Sequence, residues 1–145
     1  MLVRILTGLV GIPLFLGLLY LGQWPLLALV AGMGLVAFYE YTRLGQAMGF
    51  RPSLAVGSLA VFAILLAAGL LPPTAPHLGA AVALSALAIL TWTLARPVGY
   101  TPVDALITLA GVFYVGMLSH LLLLRRLGDG TGFDAGFAWV ALAFF

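Results

Sequence analysis

Glu40 and Arg43 stand three residues apart at the end of an apolar run, so one helical turn brings a carboxylate and a guanidinium to the same face. The pair can be an exposed ion bridge of little energetic worth. Alternatively the carboxylate can orient the guanidinium, whose planar fork of donors suits a phosphate-bearing lipid headgroup. His120 falls inside a long apolar stretch, on one helical stripe with Phe113 and Gly116. An ionisable group there either serves a functional site or is a neutral imidazole bonded to a neighbouring helix, with Ser119 nearby. Arg125 and Arg126 close the same stretch, where cations oppose the negative end of a helix dipole. They can anchor the helix at an interface or bind phosphate, and Arg125 is the preferred phosphate contact.

The remaining polar residues read as structural. Thr101-Pro102-Val103-Asp104 has the spacing of a helix start, with Thr101 as N-cap, Pro102 as first helical residue and Asp104 as the capping-box acid. Asp129 and Asp134 flank a glycine-rich turn that lacks the alternating ligands and final glutamate of a calcium loop. His77 follows three prolines, with no partner histidine or carboxylate nearby. Nucleophile elbow, P-loop, dinucleotide fingerprint and zinc motif are all missing from the sequence, which on its own names no catalytic residue and no metal ligand.

These few polar groups are set in a chain that is 64% hydrophobic and only 7% charged, with mean hydropathy +1.23. A water-soluble domain carries about a quarter charged residues, so the composition predicts an all-α, polytopic membrane helical bundle formed by residues 1–145 as one transmembrane region. All six cationic side chains are arginines, spread along the sequence rather than gathered into a nucleic-acid footprint. Cysteine is absent, which excludes disulfides and thiolate chemistry.

Apolar runs predict about five complete transmembrane helices: Ile5 to Gly22, Pro25 to Tyr39, Leu54 to Leu71, Leu78 to Leu94 and Ala105 to Leu124. A sixth begins at Phe137 and is expected to be truncated, because the sequence stays apolar to its last residue. Pro13 should kink the first span, and Gly8, Gly11 and the Ala28-x-x-x-Gly32 spacing should be packing faces. Trp24 and Pro25 read as a tight turn, and Glu40 to Ser53 as a polar connector outside the membrane core. With a cytoplasmic amino terminus, Arg4, Arg43, Arg51 and Arg96 lie inside while Arg125 and Arg126 fall outside, a four-to-two bias favouring that orientation. The arginine pair is then an exception, the end of a re-entrant segment, or the lining of a hydrated cavity.

Three motifs occur in a recognisable order. An arginine precedes a glycine-isoleucine-proline span (Arg4 to Pro13), a second span ends Ala37-Phe38-Tyr39-Glu40-Tyr41 with Arg43-Leu44, and a later Gly111-Val112-Phe113-Tyr114-Val115-Gly116 span ends Leu124-Arg125. Together they resemble the amino-terminal half of bacterial phosphatidate cytidylyltransferases, also called CDP-diacylglycerol synthases. The resemblance implies a multi-pass enzyme of the bacterial inner membrane that joins CTP to phosphatidic acid, giving CDP-diacylglycerol and pyrophosphate, with a possible homo-oligomeric state. It implies substrate contacts at Arg4, Glu40 and Arg125, and a divalent metal (Mg2+) whose ligands lie in the family's other half, so this chain alone is expected to be inactive. The competing readings are a small membrane transport or carrier subunit with His120 and Arg125 lining its pathway, and a scaffold that only packs against other helices.

Overall fold

The computed structural model describes residues 2–72, 75–95, 99–128 and 132–144, with the side chains of residues 2–9, Ala75 and Phe144 outside the description. The described residues form seven helices and no strand: α1 (Leu2–Leu21), α2 (Gln23–Ala47), α3 (Leu54–Leu70), α4 (Ala75–Ala95), α5 (Pro102–Gly116), α6 (Ser119–Arg125) and α7 (Ala135–Phe144). Among them Gln23–Ala47, Pro76–Ala95 and Pro102–Arg125 are long and apolar enough to cross a membrane, and Val10–Leu21 and Leu54–Leu70 are shorter apolar helices. The all-α membrane bundle expected from the apolar runs is therefore the observed architecture.

Several boundaries depart from the sequence reading. The first turn of the chain falls at Gly22, whose φ of 112° is a glycine conformation, and Trp24 and Pro25 belong to the opening turn of α2. At its other end α2 runs eight residues beyond Tyr39, so the first half of the expected connector is helix. That extension stays helical because Phe38, Thr42 and Gly45 remain buried against the rest of the bundle while Glu40, Arg43 and Leu44 face outward. Pro13 lies within α1. The fifth span is interrupted: at Met117 and Leu118 the backbone tightens, with Leu118 N–H donating to Val115 O and His120 N–H to Met117 O, each at 3.0 Å.

α3 is the central element, running antiparallel to α2 and parallel to α5. Its Val61, Ile64 and Leu65 are almost fully buried beside Leu26, Val30 and Phe38 of α2 and Val112 of α5. Two glycines let an aromatic ring of α2 pack close against a neighbouring helix. A Cβ on Gly57 would fall 2.1 Å from the Phe38 ring, and one on Gly111 would fall 2.4 Å from the Tyr41 ring. Gly11 and Gly32, expected to pack, do not: nothing lies within 4 Å of a Cβ at either, and Ala28 is exposed, while the packing of Gly8 lies outside the description. The buried face of α2 is instead the one carrying Leu27, Ala31, Gly34 and Phe38.

Candidate functional site

Helix packing gathers the chemistry-bearing residues at two ends of the bundle. At one end the carboxyl terminus of α2 meets the amino termini of α3 and α5; at the other, the carboxyl termini of α1, α3 and α6 meet the amino termini of α2 and α7. Helix amino termini leave N–H groups without partners and carboxyl termini leave carbonyls, so the two ends need side chains of opposite character.

Asp104 is the organiser of the first end. It is 4% exposed, and its Oδ2 accepts from the Thr101 N–H and the Thr101 hydroxyl, both at 2.8 Å. Thr101 Oγ1 accepts in return from the Asp104 N–H at 3.3 Å, completing the capping box that the Thr-Pro-Val-Asp spacing foretold. The sequence does not foretell the third bond, from the Arg51 N–H to Asp104 Oδ1 at 2.6 Å, which ties the α2–α3 connector to α5. Buried Thr108 extends the link, accepting from the Ser53 N–H at 3.0 Å and donating to Asp104 O at 2.7 Å. The Tyr41 hydroxyl donates to Ile107 O at 3.1 Å.

Glu40 and Arg43 sit on the outer surface at this same end, both exposed. They do not pair. The Arg43 guanidinium lies over the Tyr39 ring, 5.9 Å from its centroid, a cation–π contact. Arg125–Asp134 is the ion pair seen among the described residues. Glu40 borders a shallow depression of about 500 Å³ with Val36, Tyr39, Arg43 and Leu44. Arg4 lies near the start of α1, which runs toward the opposite end, and its side chain is outside the described residues. So are Arg96 and Asp129.

At the second end Arg125 has no exposed surface. Its Nε donates to Leu19 O at 3.1 Å, Nη1 to Asp134 Oδ1 at 2.5 Å and Nη2 to Gly132 O at 3.4 Å. Asp134 Oδ1 also accepts from the Phe137 N–H at 2.7 Å, capping α7. The neighbouring Arg126 Nη1 donates to Ala68 O at 3.2 Å and to Leu71 O, filling acceptors at the end of α3. Gln23 Nε2 reaches Gly69 O and Leu122 O, each at 3.5 Å. Rings of Tyr20, Phe133 and Phe137 pack in sequence around the turn, the first pair tilted and the second edge-to-face, with centroids 4.9 and 4.8 Å apart.

This geometry answers the topology puzzle of the arginine pair. Arg125 is neutralised by Asp134 inside the protein, and Arg126 is half-buried against α3 carbonyls, so neither acts as a free interfacial charge. It also sets the phosphate role expected for Arg125 against its surroundings: all three nitrogens of its guanidinium already donate within the chain, which favours the anchoring alternative. The sequence signal for the Arg125–Asp134 pair was the placement of opposite charges on either side of a glycine-rich turn. Asp134 was read as turn chemistry, and its partner was missed because nothing in helical periodicity connects residues nine apart across a bend.

His120 is exposed, and its Nδ1 lies 3.1 Å from Met117 O of its own helix rather than bonding to a neighbouring one. It borders an apolar groove of about 310 Å³ between α4 and α5, floored by Ile64 of α3. Metal binding finds no support in this part of the molecule: among the described residues no three His, Cys, Asp or Glu side chains cluster. Asp104 and Asp134 sit at opposite ends, each already accepting from N–H donors. The described residues do not fit a divalent ion.

Residues 2–145 match the sequence model of the cytidylyltransferase family. A phosphatidate cytidylyltransferase from Synechocystis sp. is 32% identical over 129 residues, covering 88% of this chain and 43% of that protein. The chain thus spans less than half the length of that relative. No solved structure matches.

Proposed function

Because the chain belongs to the cytidylyltransferase family, we propose that it supplies the amino-terminal membrane region of a phosphatidate cytidylyltransferase, which makes CDP-diacylglycerol and pyrophosphate from CTP and phosphatidate. The observation that carries this reading is the 32% identity to the Synechocystis enzyme across 88% of the chain. The apolar exterior of the bundle supports it, since a two-chain lipid can reach such a protein only laterally through hydrocarbon.

The reaction brings a phosphate oxygen of one anion onto the α-phosphate of another, so cationic groups must hold both partners and offset the charge that develops. At the Asp104 end, Arg43 on α2 and Arg4 on α1 are the residues we assign to lipid-phosphate contact. Glu40 shares the exposed face of α2 and orients that surface. Arg125 holds the opposite end together and takes no part in binding. The metal ligands, on this reading, belong to the part of the family fold that the match to the Synechocystis enzyme does not cover. Arg4, Arg43 and Arg51 at the Asp104 end, against two arginines neutralised or half-buried at the other, support placing the Asp104 end on the cytoplasmic side of a bacterial inner membrane.

The transport alternative gains nothing from the structure, because the groove at His120 is lined almost wholly by apolar side chains and offers no hydrated path. The test is a chimaera joining this chain to the region of the Synechocystis enzyme beyond the matched segment, produced in membranes depleted of their own cytidylyltransferase. Radiolabelled CTP should enter CDP-diacylglycerol with the chimaera and not with the 145-residue chain alone. A chimaera that inserts stably yet shows no incorporation overturns the assignment.

A further inference from the structure

α5 turns one stripe away from the bundle. Leu106, Ala110, Phe113, Tyr114 and Met117 recur at helical spacing and are all exposed, while Ala105, Thr108, Val112 and Val115 between them are buried. Tyr114 is the residue of this stripe that hydrocarbon does not suit. It is 74% exposed, and its hydroxyl has no hydrogen-bond partner among the described residues. It stands well inside the span from Pro102 to Arg125, roughly 16–18 Å from either end at ~1.5 Å per residue.

A hydrocarbon layer of about 30 Å puts that position near the bilayer midplane. The phenol tip there is too deep to snorkel to a headgroup layer, which is where tyrosines that face lipid gather. Water is missing at that depth, so a hydroxyl pointing into acyl chains stays unsatisfied at a cost in free energy. His120 differs, because it lies close to Arg125 at the end of the span, where water reaches it. Residues that face out at the middle of other helices are at home in lipid: Gly32, Met33 and Val36 of α2 and Leu84 and Leu87 of α4 are all apolar. The α5 stripe is therefore the outward face that calls for a protein neighbour.

Given the enzyme assignment proposed above, on which this depends, the identity of that neighbour follows from length and order. The matched segment is 43% of the Synechocystis protein, so more than half of such an enzyme has still to pack on this bundle. α7 packs on α6, the direct continuation of α5, and helices consecutive in sequence are usually neighbours in space. We infer that a transmembrane helix of the remaining region lies along Leu106, Ala110, Phe113 and Met117 and supplies a hydrogen-bond acceptor to the Tyr114 hydroxyl at the midplane. Its matching face combines small residues, which admit the Phe113 ring, with one polar side chain at the depth of Tyr114.

The experiment uses the chimaera described above, with a protease site at its junction and photoreactive p-benzoylphenylalanine placed at Phe113 or Met117, or at Met33 or Leu87 as references. After irradiation in membranes and cleavage, the two parts should stay covalently joined several-fold more often from Phe113 and Met117 than from Met33 and Leu87. Tyr114→Phe, which removes only the hydroxyl, should lower the melting temperature of the chimaera by about 1–3 °C and leave that of the 145-residue chain unchanged or higher. Capture of a second copy of this chain instead of the remaining region, equal joining from all four positions, no joining from the stripe, or a Tyr114→Phe loss as large in the isolated chain as in the chimaera each overturns the proposal. Incorporation of CTP by a chimaera whose stripe stays unjoined sinks the docking and leaves the enzyme assignment standing; a joined stripe without incorporation does the reverse.

Discussion

At the Asp104 end a carboxylate gathers backbone N–H groups, whereas at the Arg125 end two guanidiniums gather backbone carbonyls, and the difference follows from which helix termini meet there. α3 and α5 begin at the first end and present donors; α1, α3 and α6 finish at the second and present acceptors. Each end therefore uses the side-chain charge that the local helix dipoles favour. The means of holding differ as well. The Asp104 end relies on a small carboxylate plus ring-on-glycine contacts at Gly57 and Gly111, while the Arg125 end relies on one long side chain that reaches α1, the α6–α7 turn and Asp134 at once.

If that contrast is right, the Arg125 end is the more fragile to a single truncation. Arg125→Ala leaves Asp134 without its counter-ion in a largely buried position and should destabilise the detergent-solubilised chain by about 3–5 kcal/mol, read from thermal or denaturant unfolding followed by circular dichroism. Arg125→Met combined with Asp134→Asn, which removes both charges but keeps an acceptor for the Phe137 N–H, should recover about half of that loss. A single Arg125→Ala variant as stable as the parent would sink the comparison. Next in size, Gly57→Val forces a Cβ into the Phe38 ring and should cost about 1–3 kcal/mol, with Phe38→Leu in the same chain giving partial relief.

Asp104→Ala tests whether the first end needs its carboxylate. Loss of the capping box and of the bond to the Arg51 N–H should lower stability by about 1–2 kcal/mol. Asp104→Asn, which retains acceptors, should lose less. The smallest effect is expected at the exposed surface: Arg43→Ala forfeits a solvent-facing cation–π contact, ~0.5 kcal/mol, and the same measurement should barely resolve it. A large loss there would mean that the outer face of α2 is held by contacts other than the one to Tyr39.

How much of this was legible in the sequence depends on the range of the interaction. Apolar runs revealed the spans, because membrane crossing is a property of composition over a window. The capping box was legible for a similar reason, since all its atoms come from Thr101 to Asp104. The end of α2 was not: a polar residue on a helix that outgrows the bilayer looks like a connector until Phe38, Thr42 and Gly45 are seen to be buried. Spacing favoured Gly11 and Gly32, yet close approaches between helices occur at positions such as Gly34, Gly57, Gly69 and Gly111. Which face of a helix packs is decided by its neighbours, and no neighbour is written into a local repeat. Arg125 was singled out correctly as unusual, but its meaning lay in the carbonyl of Leu19, 106 residues away.

The short separation between Arg125 and Asp134 has a consequence for how the polypeptide enters its membrane. Closing so small a loop carries little entropic penalty, so a nascent α6–α7 hairpin holds both charges before any other helix must be in place. A lone guanidinium resists passage through oil. Tethered to its own carboxylate, this one enters the membrane as part of a nearly neutral unit.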